Sequence, residues 1–221
     1  MPRTKEDFPS PKTRAGRVVR ALERLYPAAE CALVHRNPFE LIVATILSAQ
    51  CTDARVNLVT PALFARFPDA HALATGSLTE VEELIRSTGF FRSKAKNLVA
   101  MATQLVERHG GQVPADHDAL TALPGVGRKT ASVVLGVAFS QAEGVVVDTH
   151  VKRLAYRLGL TTHKDPARIE RDLMASVPRK QWIALSHRLI LHGRRTCNAR
   201  QPRCADCELD PICPKNGVRH A

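Results

Sequence analysis

Residues Asp116 to His150 read DHDALTALPGVGRKTASVVLGVAFSQAEGVVVDTH, and this stretch decides how the rest of the chain is understood. Leu123-Pro124-Gly125-Val126-Gly127 forms a tight turn between two helical patterns. Upstream, Asp116 to Leu123 reads as a short helix with Leu120 and Leu123 on one face. Pro124 disfavours helical geometry at Leu123 and stops it. Downstream, Thr130 to Phe139 resumes a helical period, with Ala131, Val134, Leu135 and Ala138 on one face. Gly125 and Gly127 permit positive φ and let another backbone come close. The N–H groups of Gly125, Gly127 and Arg128 lack intrahelical partners and sit at the positive end of a helix dipole. Such a terminus suits a phosphate. A P-G-x-G corner is equally an ordinary joint between helices. The neighbouring Arg128-Lys129 pair and the basic chain favour nucleic acid.

Lys129 opens the second helix, where the dipole and Arg128 are both unfavourable company for a further cation. Most lysines are solvated surface groups. One in this position invites a different reading, because a neutral amine can attack an electrophilic carbon and form a Schiff base. Asp148 follows the apolar run Val145-Val146-Val147 and precedes Thr149-His150-Val151-Lys152-Arg153. Helix N-capping is its simplest role, and a capping carboxylate can still turn one oxygen to a substrate. His150 reads as a packing or hydrogen-bonding residue.

The chain has 221 residues, 44 % of them hydrophobic, enough for one large or two small domains. Lys and Arg number 32 against 21 Asp and Glu, a formal charge of +11. That balance favours a polyanionic partner and salt-sensitive association, though it would also suit a ribosomal or membrane-surface protein. No run of 18 apolar residues offers a membrane span, and no apolar segment follows the N-terminal charges as a secretory signal requires.

Near the C-terminus stand Cys197, Cys204, Cys207 and Cys213, four of the six cysteines, among Pro202, Pro211 and Pro214. A loop that short has no core of its own, and metal ligation would organise it. Four thiolates suit tetrahedral zinc as well as an iron–sulfur cluster. Arg194, Arg195, Arg200 and Arg203 surround them, either to meet phosphates or merely as solvated charges.

LPGVGRKTA followed by VDTHVKR, with the four cysteines, resembles the endonuclease III family of helix–hairpin–helix DNA glycosylases. The likeness covers roughly residues 15 to 215. It implies a bifunctional DNA glycosylase and AP lyase that removes oxidised or saturated pyrimidines from double-stranded DNA in base excision repair. Lys129 is then the nucleophile at the deoxyribose C1′ and Asp148 assists it. The C-x6-C-x2-C-x5-C spacing resembles that family's [4Fe–4S] loop, which sets the cluster ahead of zinc. Gly125, Gly127 and Arg128 fall on the DNA-binding hairpin. Gln50, in the corner Leu47-Ser48-Ala49-Gln50, matches a glutamine that fills the gap left by an extruded nucleotide. Phe90, in Gly89-Phe90-Phe91, matches an apolar wedge, although such a residue is more often core. Lys94 is a candidate phosphate contact.

The resemblance further implies an all-α fold of two helical domains. Residues 30–141 form a helical barrel with the hairpin; residues 14–29 join 142–221 and the cysteine loop; residues 1–13 are a flexible tail. Lys129 and Asp148 are expected to flank the cleft between the domains. An intracellular monomer on the bacterial nucleoid is expected. Adenine glycosylases share hairpin and cluster but carry a catalytic glutamate where Ala44 aligns, and lack the lysine. Thymine-mismatch glycosylases usually place tyrosine at the Lys129 position. A hairpin module that binds DNA without chemistry is the alternative from another class.

The remaining chain reads as helices throughout. Arg14 to Tyr26 is amphipathic, with Val18, Ala21, Leu22 and Leu25 on one face. Pro38 to Ser48 is apolar nearly all round. Asp53 to Phe67 continues helically with Pro61 interrupting it. Ser77-Leu78-Thr79-Glu80 has the form of a capping box. A long helix after the Gly89 turn ends at Gly110-Gly111. Gly144 to Val147 is the one extended run, too little for a sheet.

Overall fold

In the computed structural model, which describes residues 8–218, the regular elements are eleven α-helices and three short 3-10 turns, with no strand among those residues. The first helix, α1 (Pro11–Leu25), begins where Ser10 accepts from the Thr13 amide and Pro11 takes the first turn. It starts three residues before the expected Arg14, so residues 11–13 belong to a helix and not to a tail. Residues 1–7 of that expected tail lie outside the described residues. The chain divides into two compact units, Cys31–Gln141 and the remainder.

The unit of residues 31–141 holds α2 (Pro38–Leu47), α3 (Asp53–Arg66), α4 (Ala70–Ala74), α5 (Leu78–Ile85), α6 (Phe91–His109), α7 (His117–Thr121) and α8 (Arg128–Phe139). Its axis is α2, whose Leu41, Ile42, Val43, Ala44 and Leu47 are wholly buried. The helix packs against α3, α6 and α8. Each of the Leu, Ile and Val side chains contributes roughly 1.5–3 kcal/mol by leaving water. Asn37 accepts from the Glu40 amide at 2.9 Å and Pro38 follows it, so the chain enters this helix with a cap and a pre-set φ. The inward face of α6 is Ala95, Leu98, Met101, Ala102 and Leu105, spaced at helical intervals. Gly110 at φ 58 and Gly111 at φ 79 end it in left-handed backbone.

Two local expectations fail here. Pro61 does not interrupt α3, which runs unbroken from Asp53 to Arg66. The proline lies on the exposed face, so losing one backbone N–H buries no orphaned carbonyl. Ser77 makes no side-chain cap bond. Glu80 turns away from it to receive Arg66, whose Nη2 donates at 3.0 Å, so an ion pair has replaced the capping box.

The other unit joins α1 to α9 (Thr149–Arg157), α10 (Pro166–Ser176) and α11 (Trp182–Arg195). Val18, Leu22, Val151, Leu154, Ile169, Leu173, Leu185 and Leu189 form its core. The Val145 to Val147 run has no strand partner, yet Val145 is buried in that core. Partly buried Cys197, Cys207, Ile212 and Cys213 pack against the same core.

Candidate functional site

The hairpin turn lies between α7 and α8. Asp116 caps α7 by accepting from the Ala119 amide at 2.8 Å, and the chain leaves through Leu123 and Val126, both buried. Gly125 stands at φ 77, and a Cβ there would meet Asn97 Cβ at 2.9 Å. Glycine is required at that position by both conformation and space. Gly127 differs from the expectation of positive φ: it is extended at φ −87, and a Cβ would meet nothing within 4 Å. Nothing in this chain demands glycine there. The face it presents is open for a ligand's backbone to come close.

Gly127 is the N-cap of α8, and no side chain caps that helix. Arg128 and Lys129 occupy its first turn and are both exposed. The helix therefore presents its positive terminus, a guanidinium and an amine together on the outside of this unit. Ala44, where an adenine glycosylase would carry a carboxylate, is fully buried in α2.

The turns after α2 and before α6 belong to the same unit. Gln50 is exposed at φ 53, and Phe90 is 67 % exposed at φ 49. Both are non-glycine residues in left-handed backbone, which costs of order 1 kcal/mol each. Phe91, by contrast, packs against the core. Lys94 is the clear correction. It is 5 % exposed, and its ammonium donates to Leu47 O and Thr88 O, each at 2.8 Å. A cation consumed by two internal carbonyls does not reach a phosphate; its charge had suggested the surface, and the helical period that turns it inward decides otherwise.

In the other unit, Asp148 caps α9: its Oδ1 accepts from the Val151 amide at 2.7 Å. Its second oxygen is not the one used for the cap. Lys129 belongs to one unit and Asp148 to the other.

The four cysteines line one cavity together with Leu154, Leu158, Arg157 and His192. Among the described residues, no three His, Cys, Asp or Glu side chains close on a common point as one bound ion would need. Burial raises the Cys207 thiol and pushes Cys213 up to about 11, and the neighbouring cysteines push the same way. Sulfurs so placed ionise together only against a metal's positive charge. Nitrogen groups approach two of them: Arg157 Nη1 donates to Cys197 Sγ at 3.4 Å, and His192 Nε2 lies 3.5 Å from Cys207 Sγ. Tyr26 Oη stands 3.0 Å from His192 Nδ1. Burial holds His192 down to about 4, so the imidazole is neutral near pH 7. This donor set fits a metal–thiolate group, which is negative and accepts N–H bonds.

Sequence reasoning missed the residues that pin this loop. Arg157 also donates to Asn198 O and Ala199 O, both at 2.7 Å, and Arg153 donates to Gly193 O at 2.9 Å and Cys197 O at 3.0 Å. Their spacing of four on α9 was the available signal. Arg194, Arg195, Arg200 and Arg203 are exposed, and Arg203 donates to Arg195 O. No helix among the described residues is long and apolar enough to cross a membrane.

The family pattern described as HhH-GPD superfamily base excision DNA repair protein matches residues 43–179. Endonuclease III of Synechocystis sp. is 56 % identical over 205 residues, 93 % of this chain and 94 % of that protein. Endonuclease III of Bacillus subtilis is 48 % identical over 196 residues, 88 % of this chain and 89 % of its own length. Among solved structures, a trapped covalent intermediate of endonuclease III with DNA, an estranged-adenine complex, superposes with a TM-score of 0.86. It is 43 % identical and covers 91 % of this chain and 95 % of its own. Hairpin, cysteine loop and near full-length likeness converge: the chain belongs to the endonuclease III family, within the HhH-GPD superfamily of base excision DNA repair proteins.

Proposed function

We propose that this chain, acting as a monomer on duplex DNA, removes oxidised or saturated pyrimidines and cleaves the strand at the resulting site. The observation that carries the proposal is the exposed Lys129 in the first turn of an uncapped helix, directly after the Gly125 turn. Relatives of similar length and fold include an enzyme trapped as a covalent intermediate with DNA. A lysine is the residue here that can make such a bond.

The duplex is kinked and the damaged nucleotide extruded, at a cost of a few kcal/mol that is smaller for a base that pairs or stacks poorly. Backbone amides at the head of α8, with Arg128 beside them, offset part of it by binding phosphate. Gln50 fills the vacated space and Phe90 wedges the stack. Asp148 stabilises positive charge on the sugar and assists the lysine's deprotonation. The neutral amine adds to C1′, the base departs with the C1′–N bond electrons, and the sugar ring opens to an iminium. The C2′ proton is then acidic. Its removal expels the 3′ phosphate by β-elimination, and hydrolysis of the remaining imine frees Lys129.

Cys197, Cys204, Cys207 and Cys213 would hold a [4Fe–4S] cluster; zinc, the alternative for the same four thiolates, would need them drawn to one point that they do not share here. The cluster's contribution is structural: it keeps a loop bearing Arg200 and Arg203 in a fixed shape. With Cys207 ionised, His192 Nε2 carries the proton and donates to it, and Nδ1 accepts from Tyr26. Brown protein with broad visible absorption would identify iron and sulfide; a colourless one, zinc.

Borohydride reduction tests the chemistry. Wild type incubated with a duplex holding one oxidised pyrimidine should give a covalent adduct, and Lys129→Ala should give none while still binding. An adduct that persists in Lys129→Ala removes this lysine from the reaction. Binding without any adduct in wild type would make the protein a recognition module.

A further inference from the structure

Lys94 lies between two turns that carry exposed side chains. Its amine donates to Leu47 O, the last residue of α2, and to Thr88 O, which ends a 3-10 turn. A cation is favoured at both sites, because carbonyls at a helix end carry the negative end of the dipole. Three residues after Leu47 comes Gln50; two after Thr88 comes Phe90. Each of these turns passes through left-handed backbone, at Gln50 in the first and at Gly89 and Phe90 in the second. Left-handed backbone at a residue with a Cβ persists only where the surroundings hold it. Burial depresses the Lys94 amine, with Cys51 opposing, so keeping an ammonium there is itself unfavourable unless both carbonyls receive it.

We propose that Lys94 is a positioning residue. Its ammonium clamps the turn of Gln50 to the turn of Phe90, so that both side chains reach the duplex as one preformed unit. The inference rests on the reading of Gln50 and Phe90 as duplex contacts. Its physical sense is economy of ordering: two flexible turns would have to be fixed upon binding, and clamped ones are fixed beforehand. The clamp acts where a gap must be filled. It has no bearing on contacts that any intact duplex makes with the hairpin.

Two duplexes distinguish these contributions, one undamaged and one carrying a single tetrahydrofuran abasic analogue. Affinities are measured for intact protein as wild type, Lys94→Met, Lys94→Arg, Gln50→Ala, Phe90→Ala, the double variant Gln50→Ala/Phe90→Ala and the triple variant. Lys94→Met keeps most of the volume and removes the donors. It should weaken the abasic duplex about tenfold and the undamaged one by less than about twofold, with Lys94→Arg recovering part of the loss. Added to the double variant it should cost less than about a further twofold, because the groups it positions are gone. Equal weakening on both duplexes, or an undiminished loss in the triple variant, would overturn the clamp. Wild-type affinity for the abasic duplex in both Gln50→Ala and Phe90→Ala would refute the underlying reading, and the clamp with it. Should Lys94→Met not fold, Lys94→Gln, which retains one short donor, takes its place under the same failing outcomes.

Discussion

Asp148 has two oxygens, one fixed in a cap and one left for the proposed role at the sugar. One oxygen accepts the Val151 amide at 2.7 Å and starts α9. Asparagine keeps an oxygen for that bond and removes the charge, whereas alanine removes both. Asp148→Asn should therefore hold stability within about 0.5 kcal/mol, and Asp148→Ala should lose ~1 kcal/mol. Both should lose base release, as read by single-turnover assays with a defined lesion, if the carboxylate assists at the sugar. Retained chemistry in Asp148→Asn would leave Asp148 only the cap. His187 offers a pH signature in the same unit. Burial lowers its imidazolium below the ordinary range, against an opposing pull from Glu30. As pH falls through about 6.5 the unfolded chain takes the proton first, so stability present above that value is lost toward the lower, folded-state value. Denaturation midpoints at about pH 7.5 and about pH 5.5 should fall less in His187→Gln than in wild type. At this scale the sequence misleads where burial overrides residue type. Lys94 reads as a phosphate contact and is buried, a property its letter does not carry.

The helix-to-helix turn at Leu123–Gly127 was legible because its punctuation is local: proline stops one helix and glycine permits the turn. What distinguishes its two glycines was not, since that depends on Asn97 in α6. Gly125→Ala should cost roughly 1–3 kcal/mol, from a left-handed φ and a 2.9 Å approach to Asn97 Cβ. Gly127→Ala should leave stability within about 0.5 kcal/mol, because its Cβ would enter open space. Its DNA affinity should nevertheless fall, since a phosphate would be kept from the amides. Thermal melts paired with binding isotherms separate the two, and normal binding by Gly127→Ala would count against the hairpin as the phosphate site. The capping box at Ser77 shows the opposite failure. Its letters were right for a local motif, but Arg66 in α3 competed for Glu80 and won it. Pro61 likewise followed a local rule that an exposed helix face can absorb.

Over the whole molecule, a formal charge of +11 predicts DNA affinity that falls as salt rises, with a slope set by the phosphates contacted. Exposed Arg200 is the clean test among the loop arginines, because Arg203 already donates to Arg195 O. Arg200→Ala should reduce the slope of log affinity against log salt by about one, uniformly across sequences. An unchanged slope would return Arg200 to the solvated surface. The all-helical class and the cysteine loop could be read from periodicity and spacing. The pinning of that loop by Arg153, Arg157 and His192 could not, because it joins α9 to residues forty or so positions away, and α11 to Cys207, fifteen residues on.

The split of the chain into two units has a consequence for how it is made. Helix α1 leaves the ribosome early, with Val18 and Leu22 ready for a core whose other members begin only at Val145. Between them comes the whole of Cys31–Gln141, which takes roughly 5–20 s to synthesise at ordinary elongation rates. During that interval the greasy side of α1 has no home, and the nascent polypeptide must tolerate or shield it. The inserted unit, uninterrupted in sequence, can finish folding first, while the other unit can close its core only after Val145 and the residues beyond it have emerged.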